Sequence, residues 1–138
     1  MNEDSQTYAI LGACFEVHKQ LGGGFNEAVY QQALALEFQT RNIPFQKEVK
    51  IDVYYKDVKL DAFYRADFIC YDSVIVELKA IPLILSEHEA QVLNYMSACH
   101  ISRGLLVNFG SRRLQHKRFI FSKNLKEILE IEQNNPHH

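Results

Sequence analysis

The stretch from Arg65 to Lys79, RADFICYDSVIVELK, decides the fold of this chain. It is typical of two β-strands joined by a short polar turn, because RADFIC is apolar and VIVEL is rich in β-branched residues. Asp67 lies on the first strand, and Glu77 and Lys79 lie on the second. Side chains alternate across a strand, so Glu77 and Lys79 are expected on one face. Antiparallel pairing through the turn would bring Asp67 near them, at the end of an apolar hairpin.

An ordinary structural explanation of these three residues also exists. In that interpretation, Glu77 and Lys79 form an ion pair on a solvated edge strand, and Asp67 is a satisfied polar residue. The strand from 74 to 81, however, is apolar on both faces until the charges appear. Such strands lie in the middle of a sheet, where an unpaired charge is costly. The charges are therefore candidates for a functional site.

Length and composition predict one domain over residues 1–138, with residues from about 134 onward forming a frayed tail. The hydrophobic fraction of 47% is enough for a real core. No apolar window is long enough to span a membrane, and the acidic start MNEDSQ does not resemble a signal peptide. Cys14, Cys70 and Cys99 have no metal-site spacing, so we expect free thiols in a reducing compartment, the cytoplasm.

Charge is unevenly distributed along the chain. The net charge is −2, which argues against a protein that coats nucleic acid by charge alone. The segment 101–126 nevertheless carries seven basic residues and no acidic residue. This segment is either a phosphate-binding face or an ordinary solvated loop and helix. Its candidate nucleic-acid-binding residues are Arg112, Arg113, Lys117 and Arg118.

Periodicity and capping signals predict an α/β fold with the order α-α-β-β-β-α-β-(β)-α. The sheet is expected to be mixed, with its first three strands antiparallel and a right-handed crossover later. The predicted elements are a helix to Leu21 capped by Ser5 or Thr7, a helix from Glu27 to Arg41 capped by Asn26, strands 45–55, 58–70 and 74–80, a helix from a Ser86 capping box to His100, a strand 104–109, an optional edge strand 114–121, and a last helix from Asn124 to Glu132 capped by Ser122.

Two helices carry further candidates. Glu27 lies in the first turn of the second helix, where the helix dipole favours a carboxylate whatever the function. His88, Gln91 and Tyr95 recur at spacings of three and four, so they share one face of the third helix. The glycines at 22–24 end the first helix and do not form a phosphate loop, because no Gly-Lys-Ser/Thr follows them.

Several motifs in order carry a family resemblance over residues 8–121. They are Val17-His18, GFNEAVY at 24–30, Arg65-Ala66-Asp67, VELKA at 76–80, His88 and Gln91 with Asn94-Tyr95, and GLLVNFG at 104–110. The chain resembles the PD-(D/E)XK nuclease superfamily, and more narrowly its small GxxExxY family. One departure is Ala66, which stands where the superfamily name has proline.

The resemblance implies a restriction-endonuclease-like fold and a Mg²⁺- or Mn²⁺-dependent site. Asp67 and Glu77 match the metal-binding carboxylates of the superfamily, and hard oxygen ligands suit these ions. Glu27 matches an additional helical ligand, and His18 resembles a histidine that some members use as a second ligand. Lys79 matches the lysine that orients or deprotonates the attacking water and stabilises the charge on the phosphate.

The resemblance also assigns roles on the third helix. Gln91 and Tyr95 form a Q-x-x-x-Y similar to that of RecB-type nucleases, whose helix lines the catalytic site and contacts substrate. His88 is either a helix-start polar residue or a substrate contact. Tyr30, although it completes the GxxExxY motif, is expected to pack in the core.

Three functions are consistent with these residues. The first is metal-dependent phosphodiester hydrolysis of nucleic acid, with DNA expected before RNA. The second is a non-cleaving module on the same fold that binds nucleic acid or a protein partner. The third is a small-molecule phosphoesterase. The small size of one copy favours a homodimer or a larger complex, and no membrane partner is expected.

Overall fold

One mixed β-sheet covered by helices on both faces forms the protein. The computed structural model describes residues 2–122 and 127–133. Within them the helices are α1 (Glu3–Leu21), α2 (Glu27–Thr40) and α3 (Ser86–Cys99). The strands are β1 (Phe45–Tyr55), β2 (Val58–Cys70), β3 (Val74–Lys79), β4 (Arg103–Asn108), β5 (Gln115–Ser122) and β6 (Glu127–Gln133).

The six described strands follow one another in the sheet in chain order. Neighbouring strands are antiparallel except β3 and β4, which run parallel and are joined through α3. The predicted α/β class, the mixed sheet and the antiparallel arrangement of the first three strands are therefore confirmed. Parallel strands need such a crossover, because a tight turn cannot join them.

Two apolar layers hold the helices to the sheet. One layer joins α1 and α2 to one face, and its largest fully buried side chains include Tyr30, Phe38, Phe68 and Phe109. The other layer joins α3 to the opposite face through Val92, Tyr95, Met96, Leu106 and others. Since alternate residues of β3 belong to different layers, Glu77 and Lys79 lie on the same face as Ile75, the face covered by α3.

Helix starts differ in part from the prediction. Asn26 caps α2 as predicted, because its side chain accepts a hydrogen bond from the Val29 amide. The prediction for α1 was wrong, since Asn2 rather than Ser5 or Thr7 is the cap, with its Oδ1 accepting from the Ser5 amide at 2.8 Å. The helix therefore begins earlier than expected.

The start of α3 also corrects the sequence prediction. Ser86 is the first helical residue and not the cap, which is Leu85. His88 Nδ1 accepts a hydrogen bond from the Leu85 amide at 2.9 Å. In a capping box that starts at Ser86, the Glu89 side chain would accept a hydrogen bond from the amide of the capping residue. Here the His88 imidazole accepts that bond from the Leu85 amide instead.

The C-terminal part of the sheet overturns two predictions. The optional strand exists, but it is an interior strand, because β5 pairs with both β4 and β6. The predicted last helix is wrong: residues 127–133 form strand β6, and Ser122 ends β5 instead of capping a helix. As a strand, residues 127–133 form hydrogen bonds with the backbone of β5. A short helix in their place would be marginally stable and would leave the edge of β5 unpaired. The predicted tail from 134 onward lies outside the described residues.

Two other expectations concern the cysteines and membrane-spanning helices. Cys14, Cys70 and Cys99 are free, and burial raises the pKa of each thiol, so they remain protonated. In the described part of the chain, no helix has both the length and the apolar character needed to cross a bilayer.

Candidate active site

The site begins where β2 and β3 stop pairing through their backbones. Their ladder ends with Phe68 opposite Val76. Beyond it, the Asp67 amide donates to Glu77 Oε1 at 2.6 Å, and the Leu78 amide donates to Asp67 Oδ2 at 2.8 Å. Each carboxylate therefore occupies a backbone donor that the separating strands leave open, and this exchange brings the two acidic side chains together.

The alternation of side chains in β2 is interrupted at Asp67. Ala66 packs in the layer of α3, whereas Phe68, two residues later, packs in the layer of α1 and α2. Opposite this point in β1, Glu48 has a left-handed backbone with φ of 54°. Regular pairing resumes on both sides with Lys47 opposite Phe68 and Val49 opposite Ala66. The kink lets Asp67 point towards α2 rather than into a sheet layer.

Helix α2 supplies the other wall of the site. Gln31 Nε2 donates to Asp67 Oδ1 at 3.1 Å. An open cleft of about 180 Å³ lies between them, lined by Glu27, Ala28, Gln31, Asp67 and Leu78. Glu27 is the first residue of α2, so the positive end of the helix dipole faces the cleft.

Electrostatic interactions show that the charged candidates converge. Burial raises the pKa of Glu27, and Lys79 opposes this shift. Burial also raises the pKa of Asp67, while the Leu78 amide and Lys79 lower it. Glu77 is only 4% exposed, and burial, followed by repulsion from Asp67, raises its pKa to about 8. Three carboxylates and one ammonium therefore interact electrostatically, and the single positive charge of Lys79 does not offset the effect of burial on the carboxylates.

The chain matches a known family of proteins. Residues 4–119 match the family model of the PD-(D/E)XK nuclease superfamily. The chain belongs to this superfamily. Its mixed sheet with helices on both faces is the restriction-endonuclease-like architecture that the sequence predicted.

One solved structure is similar to this superfamily member. The crystal structure of SSO0001 has 18% sequence identity and a TM-score of 0.48, over 82% of this chain and 64% of that one. The chain thus spans less than two thirds of the length of that structure. A search of curated proteins gave no match.

Superfamily members are typically metal-dependent, and the donor set can be tested against that requirement. Within residues 2–122 and 127–133, no three His, Cys, Asp or Glu side chains are grouped closely enough to form a ready-made metal site. Mg²⁺, however, usually takes only one or two carboxylates and keeps several waters. Each carboxylate oxygen has two lone pairs, so Asp67 and Glu77 can bind a cation while accepting their backbone hydrogen bonds. Oxygen donors with raised pKa values fit a hard divalent cation.

Helix α3 closes the site behind Glu77. Burial and then repulsion from Glu77 raise the pKa of Tyr95 to about 12, while a hydrogen bond with the Gln91 side chain opposes this shift. His88, besides bonding the Leu85 amide, lies near enough to Glu27 to lower its pKa. The predicted Gln91, Tyr95 and His88 are therefore all brought to the periphery of the carboxylates.

Two residues of the motif string lie elsewhere. His18 Nε2 bonds the Ser111 carbonyl at 3.0 Å, and its ring lies 6.3 Å from that of Phe109. The Tyr30 ring stacks on Phe109 at 4.8 Å, and its hydroxyl donates to the Gly22 carbonyl. Neither side chain lines the cleft. Both hold α1, α2 and the loop after β4 together, as expected for Tyr30.

The predicted basic residues do not form one surface. Arg112 and Arg113 are exposed in the loop between β4 and β5. Lys117 forms an ion pair with Glu89 of α3 at 2.8 Å. Arg118 follows it on β5 and so faces the opposite side of the sheet.

Two residues near the site escaped prediction. Gln31 lies four positions after Glu27, and this helical spacing could have found it. Asn108 is fully buried at the end of β4. It bonds both backbone groups of Ile81, the Gly110 amide and the Gln115 side chain. The only available signal for Asn108 was a polar residue inside the apolar run GLLVNFG.

Proposed function

We propose that this protein is a Mg²⁺- or Mn²⁺-dependent nuclease that hydrolyses phosphodiester bonds of nucleic acid, with DNA as the expected substrate. Superfamily membership supports the reaction class. The observation that carries the proposal is the meeting of Asp67, Glu77 and Lys79 beside an open cleft where β2 and β3 separate. The GFNEAVY motif supports placing the chain in the GxxExxY family, as a single catalytic domain.

The residues of the chain suit this reaction. Asp67 and Glu77, with Glu27 directly or through water, would hold the metal, which when bound lowers the pKa of a coordinated water and offsets charge on the phosphate. Asp67 is oriented by the Leu78 amide and Gln31, and Glu77 by the Asp67 amide. The Lys79 ammonium, beside all three carboxylates, can donate to the attacking water or to a phosphate oxygen. His18, held by Ser111, is left out of this proposal.

A cleavage assay tests the proposal. Single-stranded, duplex and branched DNA, and RNA, are incubated with Mg²⁺ or Mn²⁺ and the wild-type protein. We expect Lys79→Ala to lower the cleavage rate by roughly 10²- to 10³-fold, as for the loss of a transition-state donor, while metal binding by calorimetry persists. Glu77→Ala should lose both metal binding and cleavage.

Asp61→Asn is the matched control, because Asp61 is an exposed carboxylate on the same strand as Asp67. It should cleave like the wild type. Wild-type cleavage that persists in EDTA, or equal rates for wild type and Lys79→Ala, would show that the proposed site is not the catalytic centre.

One observation favours a non-cleaving binding module as the second candidate. In this structure both strand carboxylates accept backbone hydrogen bonds, which hold them in place without a cation. A binding module would show salt-dependent DNA binding without cleavage. Replacing the exposed Arg112 or Arg113 by alanine should then reduce the salt slope by about 1 for each lost phosphate contact.

A further inference from the structure

The hairpin of β1 and β2 is a two-stranded arm that is exposed from residue 54 to residue 63. Its tip exposes several large side chains, including Tyr54, Tyr55 and Val58. Between this arm and the C-terminal half of α3 lies a groove of about 440 Å³. This groove is separate from the carboxylate cleft, and the mechanism above does not use it.

Chemically, the groove combines aromatic rings, hydrogen-bonding groups and a cation. Tyr54 and Tyr64 line it from the arm, and Asn94 and Ser97 line it from α3. Lys56 and His100 also line it. No carboxylate is among the described residues that line it. Tyr54 is 59% exposed, so its ring is available to a ligand. Such a set suits a flat aromatic ligand that carries negative charge.

Two rings in tilted contact connect the groove to the candidate active site. The Tyr64 ring lies 4.9 Å from the Tyr95 ring, and Tyr95 interacts with Glu77. Along α3, the distance from Gln91 to Ser97 is about 9 Å at 1.5 Å per residue. A strand leaving the carboxylates along α3 would therefore reach the groove.

We infer that this groove binds an unpaired nucleobase of a single-stranded nucleic acid, next to the phosphodiester positioned at the carboxylates. The inference rests on the proposed function in taking nucleic acid as the ligand. Tyr54 stacks on the base, Asn94 and Ser97 reach its polar edge, and Lys56 contacts the adjoining phosphate. Stacking on an aromatic side chain requires a free base face, which a paired strand does not offer inside a duplex.

Binding of a fluorescein-labelled oligothymidylate to the full chain tests the inference. Fluorescence anisotropy in EDTA separates binding from cleavage. We expect Tyr54→Ala to weaken binding by roughly 5- to 150-fold, the effect of losing one base stack, and Tyr54→Phe to bind like the wild type. Lys56→Gln should reduce the salt slope by about 0.7, the value for one phosphate contact on a single strand.

Phe63→Ala is the matched control, because Phe63 is an exposed aromatic residue of the same arm, 46% exposed, that does not line the groove. It should leave single-strand binding unchanged, and duplex binding should not respond to Tyr54→Ala. Equal single-strand affinity of wild type and Tyr54→Ala would overturn the inference. So would a change of oligomeric state in Tyr54→Ala without a change in affinity, since the arm would then serve a second copy of the chain.

The two proposals fail separately. If Tyr54→Ala weakens binding but no metal-dependent cleavage is found, the proposal of a nucleobase-binding groove is supported and the nuclease proposal is refuted. If Lys79→Ala abolishes cleavage but Tyr54→Ala binds and cleaves like the wild type, the nuclease proposal is supported and the proposal of a nucleobase-binding groove is refuted.

Discussion

At the residue scale, Glu77 and Asp67 each occupy a backbone donor of the other strand. This arrangement fixes the positions of the carboxylates without the help of a cation. It also places charge where little water can offset it, so burial raises the pKa of both carboxyl groups in the free protein. A bound divalent cation would stabilise the ionised form of such buried carboxylates more than that of carboxylates in water.

The raised pKa of Glu77 predicts a pH-dependent stability. Its folded-state pKa of about 8 exceeds the usual value of 4.5, so the folded protein holds this proton more tightly than the unfolded chain. The stabilisation is fully present below about pH 4.5 and is lost as the pH rises towards 8. In EDTA we expect the free energy of unfolding to fall across this window by a few kcal/mol, as an order of magnitude.

Urea unfolding of Glu77→Gln measures that contribution. The glutamine side chain at position 77 cannot ionise. The stability of the variant should therefore depend on pH less steeply than that of the wild type between pH 4.5 and 8. The raised pKa values of Asp67 and Glu27 act in the same direction and leave a residual slope. Glu87→Gln, at an exposed position of α3, should retain the wild-type slope. Identical slopes for Glu77→Gln and wild type would contradict the assignment.

At the scale of elements, Asn108 joins the ends of β3 and β4. Its amide bonds both backbone groups of Ile81 and the Gly110 amide, and the Phe109 amide bonds the Lys79 carbonyl. The backbone that carries Lys79 is therefore fixed from the neighbouring strand. Asn108 acts as a positioning residue and does not line the cleft.

We predict that Asn108→Leu destabilises the protein by at least about 2 kcal/mol, because it leaves several buried polar groups without a partner. Thermal unfolding measures the loss. At a temperature where the variant remains folded, cleavage should also fall, since Lys79 is less firmly placed. Gln115→Ala removes only one of the four bonds and should cost less. An equal cost for the two variants would show that the Ile81 bonds contribute little.

Glycine positions give a second element-scale prediction. A Cβ at Gly110 would lie 2.3 Å from the Ile81 nitrogen, whereas one at Gly24 would meet nothing within 4 Å. The backbone of Ile81 cannot move away as a flexible side chain can, so Gly110→Ala should cost about 3 kcal/mol or more. Gly24→Ala should keep the wild-type melting temperature, although Gly24 opens the GxxExxY motif. A stable Gly110→Ala variant would contradict the close packing of the two loops.

At the scale of the whole molecule, the site draws on α2, β2, β3 and α3. A cation bound by Asp67 and Glu77 would therefore stabilise the folded state against global unfolding. With Mg²⁺ at about 100 times its Kd, we expect about 2.7 kcal/mol of stabilisation, visible as a rise in the melting temperature. The rise should vanish in Glu77→Ala and persist in Asp61→Asn. A melting temperature that is unchanged by both Mg²⁺ and Mn²⁺ would contradict metal binding at this site.

Local patterns predicted much of the fold correctly. Tyr30 of α2 is buried as expected, and the strand bounds of β1 and β2 agree with the structure. The prediction failed for residues 127–133, where a helical spacing of apolar residues gave way to strand β6. Pairing with β5 is a contact between segments, and it outweighs a weak local preference for helix.

The sequence by itself determined which residues are candidates for the chemistry and the order of the elements as far as β5, because residue type, periodicity and turn signals are local properties. Only the tertiary structure decided how those residues meet. The left-handed backbone of Glu48 and the interrupted alternation at Asp67 aim that carboxylate at Gln31 of α2. His18 and Lys117 were drawn into contacts with Ser111 and Glu89 instead. These outcomes depend on contacts between residues distant in the chain, which no local pattern records.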